Sequence, residues 1–159
     1  MTSFKLAAGT AFPKVKTVRL GGGDLTLGTP SGKMDWQLVS VYRGKHCPYC
    51  SRYLQELDTH VPRLNAIGID VVAVSADSLD RAEPHIEQLG VNLTIGYDLS
   101  VTQMHTLGLY ICQRRTALCC KSWLQSRNKR AAQYQSAPRR CWWRQRHVVL
   151  SWAGRVCVL

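Results

Sequence analysis

"VYRGKHCPYCSRYL" (residues 41–54) holds two cysteines, Cys47 and Cys50, with Pro48 and Tyr49 between them. What lies on either side decides the fold. Upstream, "WQLVSVYR" (36–43) is mostly apolar and ends at "GK", which reads as a half- or fully buried strand. Downstream, Leu54, Leu57, Val61 and Leu64 recur at three- and four-residue steps, which is one face of a helix. Pro62 either kinks this helix or starts a second one after a break near Thr59 and His60. The cysteine pair therefore ends a strand and opens a helix, which is where α/β sheets place their chemistry.

Working outward, "FPKVKTVRL" (12–20) alternates like a strand, "GGGD" (21–24) turns, and "LTL" (25–27) pairs back as a hairpin. The three glycines are not a phosphate loop, because no Lys-Ser/Thr follows and no helix opens there. "GIDVVAVSAD" (68–77) is nearly all apolar, the mark of a central strand covered on both faces. Asp77 or Ser78 then caps a helix over "LDRAEPHIEQLG" (79–90), which Gly90 stops. "NLTIGYD" (92–98) is another strand, and "SVTQMHTLGL" (100–109) is a short helix running to Gly108. Strands alternating with helices predict an α/β domain with a covered sheet.

A thiolate, not a thiol, attacks disulfides and peroxides. A helix N-terminus favours that anion through its unpaired N–H groups and partial positive charge. Arg43, Lys45 and His46 add positive potential just upstream, and Pro48 suits a first helical turn where its missing N–H costs nothing. Cysteines at this spacing are close enough to cycle between dithiol and disulfide. The bland readings are weaker. One CxxC supplies half of a four-ligand zinc site, and His46, His60, His85 and His105 show no spacing that completes it. Inert core cysteine is common, but CxxC after a strand and before a helix marks a thioredoxin-like redox site. Tyr49 and Tyr42 border the motif; Met34 and Met104 read as packing, and the histidines other than His46 as surface residues.

The chain has 159 residues, one domain by size, and no apolar run long enough to span a membrane. Without a sustained apolar segment at the N-terminus we expect a cytoplasmic protein, where seven cysteines do not form a disulfide framework. The net charge of +11 is unevenly placed. Residues 1–111 carry ten Lys/Arg and ten Asp/Glu, whereas residues 112–159 carry eleven Lys/Arg and no acidic residue. With acidic residues near one in eight, a 48-residue stretch without one has a chance of roughly 1 in 500. Five of the seven cysteines and four of the five tryptophans also lie beyond Ile111. Residues 1–111 thus read as the redox domain and 112–159 as a basic Cys/Trp/Arg-rich tail. Translation out of the ancestral frame is the preferred reading of that tail; a solvated extension and a nucleic-acid arm are the others.

Residues from about 9 to 111 resemble the peroxiredoxin-like branch of the alkyl hydroperoxide reductase/thiol-specific antioxidant family, within the thioredoxin superfamily. "AGTAFP" (8–13), "LVSVYRGKHCPYC" (38–50), "IDVVAVSADS" (69–78) and "LGVNLTIGYDLSVTQMHTLGL" (89–109) carry the resemblance. It implies a thioredoxin-like fold, a central mixed sheet flanked by helices, and thiol chemistry on peroxides or disulfides. It also implies an external reductant such as thioredoxin, glutaredoxin or glutathione, and no metal or organic cofactor. The family's P-x-x-x-T-x-x-C is not restored here: aligned on Cys50 its threonine and proline positions are Cys47 and Arg43, and aligned on Cys47 they are Gly44 and Ser40. "CPYC" is also similar to the glutaredoxin site, where the first cysteine attacks. Peroxide chemistry thus points to Cys50 as nucleophile and disulfide exchange to Cys47, and the order stays open. The family's final strands should follow Ile111, and the tail shows no such pattern. The expectation is a sheet that is incomplete or irregular there, with an open edge.

The expected activity is peroxide reduction through the Cys47/Cys50 pair. A thioredoxin- or glutaredoxin-like disulfide oxidoreductase is the alternative, and a non-catalytic module with a nucleic-acid-binding tail the more distant one. The supporting residues are Arg43, Lys45, His46, Pro48 and Tyr49. The sequence does not fix the oligomeric state.

Overall fold

The computed structural model describes residues 6–109, 111, 147–152 and 155–158. Seven strands form one sheet in the order β2-β1-β5-β4-β3-β6-β7. The N-terminal hairpin consists of β1 (Val15–Arg19) and β2 (Asp24–Leu27), paired antiparallel with Val15 opposite Leu27. The glycines between them, Gly21, Gly22 and Gly23, all take positive φ, which a tight turn needs and side-chain-bearing residues resist. The middle of the sheet is parallel: β3 (Trp36–Val41) beside β4 (Ile69–Val74), and β4 beside β5 (Thr94–Tyr97). β1 closes antiparallel onto β5, making the sheet mixed.

Parallel neighbours need crossovers, and two helices provide them. α1 (Pro48–Ala66) links β3 to β4, and α2 (Leu79–Leu89) links β4 to β5. α1 is one helix of 19 residues with Pro62 inside it, so neither a break near Thr59 nor a second helix forms. Pro62 lies on the exposed side, where water can satisfy the carbonyl that its missing N–H leaves. α2 stops at Gly90, whose φ of 64° and N–H bonds to the Ile86 and Glu87 carbonyls form a left-handed cap. α3 (Val101–Thr106) is held by a capping box between Ser100 and Gln103.

Side chains alternate across the strands and build a core on each face. Leu38, Val71, Ala73 and Ile95 pack with Leu54 and Leu57 of α1 and Ile86 of α2. Val39, Val72 and Val74 pack on the other face with Val15, Leu25, Leu27, Leu107 and Leu109. β4 is covered on both sides, as its near-continuous apolar run requires.

The far edge corrects the reading of an unfinished sheet. β6 (His147–Trp152) pairs antiparallel along all of β3, from Trp36 opposite Trp152 to Val41 opposite His147, and β7 (Arg155–Val158) pairs with β6. The β3 edge is therefore not open. "HVVLSW" is rich in β-branched and aromatic residues, which suits a strand. Its six residues were hard to read among the Arg, Trp and Cys around them. The intervening residues 112–146, on which most of the tail reading falls, lie outside the described residues.

Candidate active site

Three parallel strands end at the same side of the sheet, and the loops that leave them meet there. Residues 42–47 leave β3, 75–78 leave β4 and 98–100 leave β5. The cysteine pair sits in the first of these. Cys47 is the N-cap of α1, and Pro48 occupies its first turn, where an N–H would have had no helical partner. The Cys47 N–H donates to the Gly44 carbonyl at 3.2 Å, and the Cys47 carbonyl accepts from the N–H groups of Cys50 (2.9 Å) and Ser51 (3.2 Å). No acidic residue lies in the first turn of α1, so nothing there offsets the positive end of the helix dipole.

Both cysteines are free thiols, Cys47 buried and Cys50 half-buried. Their roles are unequal. Burial pushes the Cys50 thiol up from 9.0 to about 11, and its hydrogen bond to the Cys47 side chain adds to the rise. The backbone of Arg43, through a hydrogen bond to Cys50, and the Arg43 charge pull the other way without cancelling these effects. Burial and the neighbouring Cys47 side chain therefore both favour the protonated form of Cys50.

The supporting residues read from sequence divide. Arg43 reaches Cys50 directly. Lys45 is tied in by its backbone, whose N–H donates to Asp77 Oδ2 at 2.6 Å, while its side chain is exposed. His46, Pro48 and Tyr49 lie exposed at the mouth of the site.

Sequence reading missed the polar cluster beneath the motif. Asp77 does not cap α2, whose N-cap is Ser78; its carboxylate turns toward Lys45 and Arg81 instead. Tyr42 is buried, with its hydroxyl facing Ser75, Asp77 and Cys50 without a well-formed hydrogen bond; burial pushes its pKa up. His85 corrects the surface reading: it is 3% exposed. Its Nε2 lies 2.9 Å from Ser51 Oγ, the residue after Cys50, and its Nδ1 is buried without a partner. Burial holds the His85 pKa below its usual 6.5, with the charge of Asp77 opposing and that of Lys45 assisting. One signal was available: Ala82, His85 and Ile86 stand three and four residues apart, which places the histidine on the buried face of α2.

A protonated thiol bonded to a neighbouring sulfur at a helix N-terminus can do thiol–disulfide chemistry with little movement. Among the described residues no group of three or more His, Cys, Asp or Glu stands ready to hold a metal ion. Among the described residues, too, no helix is long and apolar enough to cross a membrane.

The model of the AhpC/TSA family matches residues 8–131, which takes the match past Ile111, and the chain belongs to that family. No curated protein matches the sequence. Among solved structures, a peroxiredoxin-like protein from Aquifex aeolicus superposes with a TM-score of 0.61 at 18% identity, covering 72% of this chain and 65% of that one. This chain thus spans slightly less than two thirds of that relative's length. The thioredoxin domain of a thiol-disulfide oxidoreductase from Bacteroides vulgatus gives 0.57 at 17% identity, over 97% of this chain and 88% of that one. Peroxidoxin BcpB from Mycobacterium tuberculosis gives 0.59 at 13% identity, over 67% and 69%. At these identities the likeness establishes the thioredoxin-like fold. Family membership supports thiol oxidoreductase activity in general.

Proposed function

We propose that this AhpC/TSA-family chain is a cytoplasmic thiol-dependent peroxidase in which, contrary to the order that alignment with the family's motif implies, Cys47 attacks and Cys50 resolves. The observation that supports the reading is placement: Cys47 is the N-cap of α1, ahead of a first turn without an acidic residue, while burial pushes the Cys50 thiol up to about 11. An attacking sulfur must shed its proton, and Cys50 holds its proton most tightly just where Cys47 has the helix end behind it.

In the first step the Cys47 thiolate attacks one peroxide oxygen. The O–O bond breaks, Cys47 becomes a sulfenic acid, and the alcohol or water leaves with a proton. Cys50 then attacks the Cys47 sulfur, the S–S bond forms, and the sulfenic oxygen leaves as water carrying the Cys50 proton. An external thiol reductant, either a dithiol of the thioredoxin or glutaredoxin class or two molecules of glutathione, returns two electrons and two protons by thiol–disulfide exchange. Cys47 is 7% exposed, and access of that kind favours a small peroxide over a bulky disulfide.

Disulfide exchange is the second reading. The order Cys47 then Cys50 serves it equally well, and the "CPYC" motif favours it. One equivalent of hydrogen peroxide, added to reduced wild type, Cys47→Ser and Cys50→Ser, separates the two. Under the peroxidase reading the wild type forms a Cys47–Cys50 disulfide and Cys50→Ser accumulates a sulfenic acid on Cys47. If no variant reacts faster than free cysteine while insulin disulfides are reduced in a Cys47-dependent way, the chain is a disulfide oxidoreductase.

A further inference from the structure

Asp77 is 7% exposed and belongs to the loop after β4, not to the element that carries the cysteines. Its own backbone is fixed. Its N–H bonds to Ser75 Oγ at 3.3 Å, and its carbonyl accepts the Asp98 N–H at 2.9 Å, which ties it to the end of β5. From this fixed base the carboxylate reaches across to the loop after β3.

Two features hold that loop to the carboxylate. Oδ2 accepts the Lys45 N–H at 2.6 Å. Gly44, at φ +101°, lies so close that a Cβ there would overlap both carboxylate oxygens. The 43–47 segment in turn touches both halves of the cysteine pair. The Gly44 carbonyl accepts the Cys47 N–H at 3.2 Å, and the Cys47 carbonyl accepts the Cys50 N–H at 2.9 Å. One carboxylate thus holds the segment that holds both cysteines. Its ion pair with Arg81 is long, at 3.8 Å, and the Arg81 side chain is 51% exposed, so that contact is weak.

We propose that Asp77 is a positioning residue of the dithiol site: its carboxylate seats the 43–47 segment on the sheet and so fixes Cys47 against Cys50. The inference rests on the pair being the redox site. Seating Cys47 raises the effective concentration of one sulfur at the other, and that quantity sets how stable the Cys47–Cys50 disulfide is against an outside dithiol.

The test equilibrates each protein with reduced and oxidised dithiothreitol and reads the Cys47–Cys50 disulfide by acid quench and peptide mapping. Asp77→Ala is expected to shift the equilibrium at least tenfold toward the dithiol. Asp77→Asn, which keeps an oxygen for the Lys45 N–H, is expected to stay within threefold of wild type. Gly44→Ala, which pushes on the carboxylate from the other side, shifts it in the same direction as Asp77→Ala. In an Asp77→Ala background the overlap is gone and only the backbone strain at Gly44 remains, so the Gly44→Ala effect shrinks at least threefold. If Asp77→Ala does not fold, Asp77→Ser takes its place, since it keeps a polar group but does not reach Lys45. Folded Asp77 and Gly44 variants within twofold of wild type, or acting independently of one another, overturn the proposal; a merely structural Asp77 would lower the melting temperature and leave the equilibrium alone. A wild type that turns over no peroxide, together with the expected equilibrium shifts in the variants, would count against the peroxidase reading and in favour of the positioning role. Normal turnover with unmoved equilibria would do the reverse.

Discussion

In Cys47→Ser the resolving thiol can be read alone. Burial, the largest contribution to the rise of Cys50 from 9.0 to about 11, survives that substitution, and the serine hydroxyl still offers the Cys50 S–H an acceptor. At pH 8 a thiol at 9.0 is ionised about one part in ten, and one at about 11 about one part in a thousand, a loss of about a hundredfold in thiolate. A more basic thiolate is a better nucleophile, with a Brønsted slope of about 0.4–0.5, so two pH units recover about sixfold to tenfold. The net expectation is that iodoacetamide labels Cys50 in Cys47→Ser about tenfold or more slower at pH 8 than it labels a short unstructured cysteine peptide. Because the chain has seven cysteines, the label is quantified on the peptide that contains position 50, from pH 7 to pH 11. A midpoint near 9 together with labelling as fast as the peptide would refute the reasoning and remove the basis for making Cys50 the resolving thiol.

Two further predictions concern the fold, one beside the site and one at the opposite end of the sheet. Burial holds the His85 pKa below 6.5, so the unfolded chain binds a proton that the folded chain refuses once the pH drops below that value. Its stabilising contribution is complete above pH 6.5 and is lost as the pH falls toward the depressed value; His85→Gln, compared with wild type by urea unfolding from pH 7 to pH 5, should lack that part of the slope, and identical slopes would sink the idea. Gln37, fully buried, donates to the Thr29 carbonyl at 2.9 Å and to Asp70 Oδ2 at 3.1 Å and accepts the Gly28 N–H at 2.7 Å. Gln37→Leu strands the Gly28 donor and part of the Asp70 carboxylate, at about 1–3 kcal/mol for each buried group, so a loss near 3 kcal/mol is expected by chemical denaturation and one below 1 kcal/mol would contradict it.

The legible parts of the fold were those whose signals are local. The alternation in 12–20, the glycines at 21–23 and the apolar run at 68–77 each reported their own backbone state: β1 and β4 lie within the first and last of these stretches, and β2 follows the glycines. Gly90 likewise stops α2. Pro62 was harder to read: it lies inside α1, where packing outweighs local preference, whereas the stretch that holds Pro84 reads as the helix it forms. The hairpin at 147–158 was illegible because its ladder partner is β3, more than a hundred residues upstream, and a six-residue strand has too little period to stand out from Arg- and Trp-rich text. In the site, the cysteine pair declared itself by spacing, but Asp77 looked like a helix cap. Only the meeting of the β3 and β4 loops turns its carboxylate toward Lys45.

That meeting also accounts for where the fold leaves polar groups unsatisfied. Among the described residues the buried side-chain atoms without a partner are the Tyr42 hydroxyl and His85 Nδ1. Both residues face Asp77. The first also faces Cys50, and the second is bonded to Ser51, one residue further along α1. Elsewhere among the described residues the buried side-chain polar atoms have partners, as Gln37 does with three hydrogen bonds. An unmade buried hydrogen bond costs about 1–3 kcal/mol, which an apolar side chain of the same shape would avoid. Two such costs side by side, beneath the helix end that carries the thiols, are what a site retains when its polar groups serve the chemistry above them. A phenylalanine at position 42 or a leucine at position 85 would pack more simply, and would leave the Cys50 thiol and the Asp77 carboxylate in a drier, less polar pocket.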